Sequence, residues 1–381
     1  MHEYLRGAVA QLIERGRVLT AKIPRDLPRD YDALAQTVRH KITVQLTNLK
    51  QLSESPVFKN PSHGRERLRL FKRIVAEMDL IETIAIAALD RANPDDHRLN
   101  TLLERVTLEI RFPLVTPVIS TLSQQYFHIY PDLNLLCVPL TEGQFLLHLP
   151  DLYHELAHPL LWEQDDPLIE PFQEHFIAAL KDVLKYLAAE QTKEDRRRGP
   201  VQLQFFLRAW EKAWVKFWMT ELFCDLFGIY TLGPAFAWSH LHLVAKRGGS
   251  PFEVPFSALS SHPADDARMR AMLYALKIAG FNVQASQILL RWQSFLADSG
   301  AKPEPEYHRC YPDAVLQTIA EHARQGLART QVRIATPETS DSVHSLLNQA
   351  WELFWTAPDC YVTWEKKAVG ELFESLENRK S

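Results

Sequence analysis

The chain has 381 residues, 46% hydrophobic and 24% charged, so it can bury more than one core and falls outside the disordered, collagen-like and membrane-bundle classes. With 43 Lys and Arg against 47 Asp and Glu the formal charge is −4, which offers no bulk attraction to nucleic acid or an anionic membrane. Only 13 residues are glycine while helix-favouring residues abound, so the expected fold class is mainly α.

Residues 1–115 carry helical periodicity interrupted by prolines at Pro24 and Pro28, at Pro56 and Pro61, and at Pro94; three or four helices are expected in this N-terminal helical region. Arg65, Arg69 and Arg73 fall on one helical face. A solvated face is expected there, with phosphate or acidic-partner binding as the alternative. The opening residues, Met1 to Arg6, lack the basic, apolar and small-residue pattern of a secretory signal. The cysteines at 137, 224, 310 and 360 form no Cys-x-x-Cys pair, and buried thiols in a reducing, cytoplasmic setting are expected.

Residues 116–280 form the expected central region. Tyr126–Tyr130 and Leu135–Val138 are short aromatic or β-branched runs around Pro131-Asp132-Leu133-Asn134, predicting a small β-hairpin or edge strand. Thr141 and Gln144 have capping-box spacing and predict a short helix through Leu147; Pro150 and Asp151 suit the start of the next. A later helix is expected to end near Glu190, leaving Arg196, Arg197 and Arg198 in an exposed loop. Val201–Leu232 is strongly helical, with Trp210, Trp214 and Trp218 as a core stripe. Leu226–Ala245 carries no formal charge and has the length of a membrane span. Gly233-Pro234 and the polar residues around it predict instead two buried helices. Residues 281–381 form a C-terminal helical region, separated from what precedes it at Gly280 and broken at Ser299–Pro303 and Pro337.

The chemistry-bearing motif is His154-Glu155-Leu156-Ala157-His158. Histidines at i and i+4 share a helix face, so both imidazoles reach one ion, and the glutamate beside that face can act as general base toward water polarised by the ion. Such a motif arises by chance only about 0.04 times in a chain of this composition. Catalytic zinc takes three protein ligands and keeps one position open, so a third donor is needed. The positions that would carry glycine and histidine in one zincin class are Leu161 and Gln164, which excludes that class. The other large class takes a glutamate from a second helix, with an aspartate four residues on. Among glutamates in the next hundred residues only Glu221 has that partner, Asp225. Both lie on the tryptophan stripe, pointing inward, where an unpaired carboxylate is costly and a metal would resolve the cost. Pro159 removes a backbone donor directly after His158, so the helix is expected to kink or end there.

In these residues the chain resembles the gluzincin zinc metallopeptidases. The resemblance implies His154, His158 and Glu221 as Zn2+ ligands, Glu155 as general base and Asp225 as the acid supporting a ligand histidine. The run from Ser260 through His262-Pro263 to Arg268 resembles the His-Pro…Arg segment of the CAAX-prenyl-protease-like branch. It implies a transition-state or supporting role for His262 and Arg268, the latter also able to pair with Asp225. The resemblance spans about residues 125–275 and lacks that branch's membrane helices. The expectation is therefore a zincin-like metallopeptidase core within helical flanks, hydrolysing a peptide or protein substrate drawn along the edge strand, with His262, Arg268 or Tyr230 as oxyanion partner. A non-catalytic interaction or regulatory protein that keeps the metal site as a scaffold is the alternative, and a nucleic-acid-binding protein using the Arg65–Arg73 face is the weakest reading.

Overall fold

A computed structural model describes residues 2–55, 60, 63–122, 126–141, 145–162, 166–197, 201–255 and 260–377. They pack as two compact units, Met1–Leu102 with Pro117–Leu140, and Leu103–Thr116 with Thr141–Ser381. The fold is mainly helical with one small three-stranded sheet.

The first unit holds α1 (His2–Lys22), α2 (Asp32–Glu54) and α3 (Gly64–Leu80). The last continues through a π-type segment, Ile81–Ile86, into the single turn α4 (Ala87–Asp90). On α2 the buried residues Leu34, Val38, Ile42 and Leu49 recur at helical spacing and form one wall of the core with Ile74, Met78 and Ile81. Full burial of each such side chain is worth about 1.5–3 kcal/mol. Helix α5 (Pro94–Glu109) begins in this unit and runs on into the second.

The expected hairpin is present: β2 (His128–Tyr130) pairs antiparallel with β3 (Leu135–Cys137), Ile129 opposite Leu136. Pro131–Leu133 makes the turn, and Asn134 takes the left-handed conformation that lets the chain reverse. A further strand, β1 (Val118–Ser120), pairs parallel with β3, placing β3 in the centre. Asn100 on α5 holds β1 by accepting from the Ile119 amide at 2.7 Å and donating to its carbonyl at 3.1 Å.

In the second unit the chain runs through α6 (Asp151–Trp162), α7 (Glu170–Arg197), α8 (Val201–Ala213), a π-type segment (Trp214–Trp218) and α9 (Met219–Leu232). It continues through α10 (Pro234–Arg247), α11 (Asp265–Ile278), α12 (Asn282–Ser299), the short α13 (Tyr307–Cys310), α14 (Asp313–Ala328), α15 (Ser342–Thr356) and α16 (Pro358–Glu377). Helix α9 is the axis: Leu222 through Leu232 are all buried, and it packs against α6, α11 and α14. The tryptophan stripe is core, as expected. Trp214 and Trp218 meet edge to face at 5.6 Å and both contact Tyr311.

Gly233, with φ of 81°, stops α9, and Pro234 opens α10. This break divides the uncharged stretch, and no described helix is long and apolar enough to cross a membrane. Gly228 gives the close approach between α9 and α10, because a Cβ there would stand 2.7 Å from the Phe236 ring. Asp266 ties three helices together by accepting from Trp292 Nε1 at 2.9 Å, Tyr307 Oη at 2.7 Å and Arg270 Nε at 2.9 Å.

Two local expectations need correction. Helix α7 does not stop near Glu190 but runs to Arg197, because Arg309 pairs with Glu190 at 3.1 Å and Glu194 at 3.3 Å and holds the added turns against the unit. Residues 198–200 lie outside the described residues. The short helix expected from Thr141 does not extend through Leu147: residues 142–144 lie outside the described residues, and Leu146–Pro150 is a run of turns whose first amide donates to Glu365 at 2.8 Å.

Candidate metal centre

Helix α6 places His154, Glu155 and Leu156 in the interior, with Asp151 in its first turn, where the helix dipole favours an acid. The helix runs through Pro159 to Trp162 and does not end at His158. Pro159 removes the amide that would bond the Glu155 carbonyl, yet the turn carrying both histidines is complete before it. The two imidazoles meet edge to face with ring centres 5.1 Å apart. The first ring also lies parallel to Phe236 of α10 at 6.3 Å.

Facing α6, α9 presents Glu221, Cys224 and Asp225 on one side, three and four residues apart. The π-type turn that precedes α9 carries Trp214 and Trp218 and shifts the phase of α9 relative to α8 by about one residue. Asp225 is fully buried and accepts from His154 Nδ1 at 2.9 Å. Its two oxygens also accept from Arg268 Nε and Nη2 of α11, each at 2.7 Å. Both roles weighed for Asp225 therefore coexist: it orients the imidazole and pairs with the guanidinium. With Nδ1 engaged, His154 turns Nε2 toward Glu221, whose Oε2 stands 3.3 Å away.

Glu221 Oε2 is buried and makes no hydrogen bond among the described residues, although it lies 3.3 Å from His154 Nε2 and 3.4 Å from His262 Nε2. Two ligands on a tetrahedral ion with bonds of about 2.0–2.1 Å stand about 3.3 Å apart, so the separation of Glu221 Oε2 from His154 Nε2 is compatible with shared coordination as well as with an ion pair. Ligand atoms of His154, His158 and Cys224 also all lie within 4.8 Å of one another, so this group could hold a metal ion. Nitrogen, sulfur and carboxylate donors are those that zinc takes.

The electrostatics agree with a cation site. Burial works against a charged His154, but Asp225 and Glu221 outweigh it and raise its pKa to about 10. A proton and a metal ion thus compete for the same nitrogen. Burial would raise the Glu221 pKa, but His154, His262 and His158 bring it down to about 2. Burial, followed by the surrounding carboxylates, pushes the Cys224 thiol well up, so it stays protonated unless a cation draws it into coordination.

Of the sequence-predicted residues, the structure brings His154, His158, Glu155, Glu221, Asp225, His262 and Arg268 into one neighbourhood of the second unit. Trp218 Nε1 donates to the Ser260 carbonyl at 3.0 Å, and Ser260 Oγ donates to the His262 carbonyl at 2.7 Å, which fixes the half-exposed His262. Among the proposed oxyanion partners, Tyr230 is committed to the Ala320 carbonyl at 2.8 Å and Arg268 to Asp225. His262 retains an accessible imidazole. The strands belong to the first unit, and the described residues of the second contain none. Cys224 is the residue that sequence reasoning missed. A cysteine among apolar neighbours reads as packing, and only its position between Glu221 and Asp225 could have marked it. Comparisons with family models, curated proteins and solved structures find no match to this chain.

Proposed function

We propose that the protein is a zinc-dependent metallopeptidase of gluzincin type, with a zincin-like core nearest to the CAAX-prenyl-protease-like branch by its His262-Pro263…Arg268 run. The observation that carries this reading is the buried, unbonded Glu221 Oε2 set 3.3 Å from Nε2 of the first motif histidine. His154, His158 and Glu221 would hold the ion, and bound zinc supplies Lewis acidity toward water and a peptide carbonyl. Glu155, beside the ligand face of α6, takes the proton of the attacking water and returns it to the leaving amine. Asp225, clamped by Arg268, holds His154 in the tautomer that presents Nε2. His262, fixed by Ser260, is the partner for the developing oxyanion. Cys137, Cys224 and Cys310 are buried free thiols, whereas Cys360, also expected to be buried, is exposed; a reducing, cytoplasmic setting is part of this reading.

Purified protein should hold about one zinc per chain, and Glu155→Gln should keep the zinc while losing cleavage of an unstructured protein such as casein. Cleavage by that variant at the rate of the parent would remove Glu155 from the mechanism.

A second reading rests on Cys224. If its thiolate joins both histidines and Glu221, four protein ligands close the coordination sphere and the centre becomes a structural staple in a non-catalytic protein.

A further inference from the structure

Within the second unit, a cavity of about 620 Å3 opens between the start of α10, the first half of α12 and the length of α15. Its volume lies in the range of small-molecule sites. None of the residues of the metal centre lines it. Trp238, Trp355 and Phe281 give it an apolar wall within a lining that is otherwise largely polar.

Two features give the cavity a chemical preference. Arg291 lines it with an exposed guanidinium held 4.8 Å over the Trp355 ring, and no carboxylate stands within ion-pair distance of it among the described residues. Stacking removes much of the rotational freedom a surface arginine would otherwise lose on binding an anion, so this cation is preorganised. Gln284 and Gln287 precede Arg291 on the same helix and add amide donors and acceptors on that wall. The only acid in the lining is Glu352, on α15, and it pairs with nothing among the described residues.

The inner wall is also polar without being satisfied. His344 is nine-tenths buried, and neither ring nitrogen has a hydrogen-bond partner among the described residues. Its ring also lines a void of about 10 Å3 shared with Tyr153, whose buried hydroxyl is likewise without a partner. That void has room for about one water, enough to serve Tyr153 and a single imidazole nitrogen. Burial lowers the pKa of His344, so at neutral pH its ring is uncharged and offers one donor and one acceptor. A buried polar group left without a partner costs about 1–3 kcal/mol, which an occupant of the cavity would relieve.

We propose that this cavity binds a small organic carboxylate with an aromatic body, its carboxylate on Arg291 and its ring against the wall of Phe281 and Trp238, the latter itself packed on Trp355 with ring centres 5.1 Å apart. The site is separate from the metal centre and does not depend on the peptidase reading. Such a carboxylate has two sources, a simple aryl-alkanoate or a free aromatic amino acid. Glu352 separates them, since it would take the ammonium of the second.

The test uses the full chain and titration calorimetry with 3-phenylpropionate, L-phenylalanine and their amides. Both acids should bind saturably, and each amide should bind roughly ten- to a hundredfold more weakly because the charge-assisted contact is gone. Arg291→Gln, at an exposed position, should weaken both acids by a similar factor. Val283→Glu, at another exposed lining position, should do so by repulsion. A preference for L-phenylalanine that disappears in Glu352→Gln identifies the amino acid; equal binding of the two acids identifies the plain carboxylate. The proposal is overturned if amides bind as well as acids, if Arg291→Gln leaves affinity unchanged, or if no probe saturates by about 10 mM.

Discussion

Replacing Arg268 by methionine removes the one side chain among the described residues that meets both oxygens of Asp225, a carboxylate with no exposed surface. Losing one member of a buried ion pair costs about 3–5 kcal/mol, because the survivor stays desolvated without its counter-charge. Here the His154 contact at 2.9 Å remains and favours the low end of that range. At roughly 2–4 °C per kcal/mol for a unit of this size, the unfolding midpoint should fall by about 6–20 °C. Asp225→Asn should cost a similar amount by stranding the guanidinium. The double variant should be less destabilised than the sum of the two by about 1.5–3 kcal/mol, as residues in direct contact couple. Zinc affinity separates the two residues' roles. Arg268→Met leaves the acceptor on His154 and should keep affinity near the parent's, whereas Asp225→Asn should weaken it about 10- to 100-fold. Urea unfolding and competitive zinc titration measure both quantities. Single-variant losses below about 1 kcal/mol that add to within about 0.5 kcal/mol would refute the clamp.

The remaining predictions concern neighbouring features. Cys224→Ser should leave zinc stoichiometry near one if Glu221 is the third ligand, and the cobalt-substituted parent should then lack sulfur-to-metal charge-transfer absorption; a loss of two or more decades in affinity would favour the closed, structural site. Gly228→Ala would press a methyl into the Phe236 ring and should destabilise by about 1–3 kcal/mol, with weaker zinc binding because that ring stacks on His154; an unchanged midpoint would show that the helices separate freely. The His148 pKa is pushed down to about 3 by burial, then by Lys246 and His242, each with a nitrogen 3.3 Å away. Its contribution to stability is therefore complete above the unfolded value of about 6.5 and is lost as pH falls toward 3. His148→Gln should flatten the stability profile across that window, and parallel profiles for parent and variant would contradict this.

Parts of this arrangement were legible because they follow from local periodicity. Two histidines one turn apart must share a face, and a glutamate and aspartate four residues apart inside a tryptophan-rich helix must point inward. The hairpin was legible from its turn residues, with Asn134 at the left-handed position. Strand β1 was not, because a parallel pairing is set by register with Leu135–Cys137 and by Asn100, both distant in the chain. The end of α7 was missed because three consecutive arginines look like solvent-facing loop, while the stabilising partner, Arg309, lies more than a hundred residues later. Cys224 was missed because a cysteine among apolar neighbours reads as packing, and the histidines it meets lie on α6, far earlier in the chain. The cavity beside Arg291 is likewise a product of packing between α10, α12 and α15.

The clamp on Asp225 also sets a schedule for biosynthesis. The motif histidines leave the ribosome well before Arg268, and at about 5–20 residues per second the interval from His154 to Arg268 lasts roughly 6–23 s. Throughout it the nascent chain carries imidazoles, a thiol and carboxylates with nothing to fix their orientation. An ion captured then would meet a floppy chelator of indiscriminate geometry, whereas one arriving after α11 has docked meets a preset pocket. Fidelity of metallation would thus depend on the order of translation and docking as much as on the identity of the ligands.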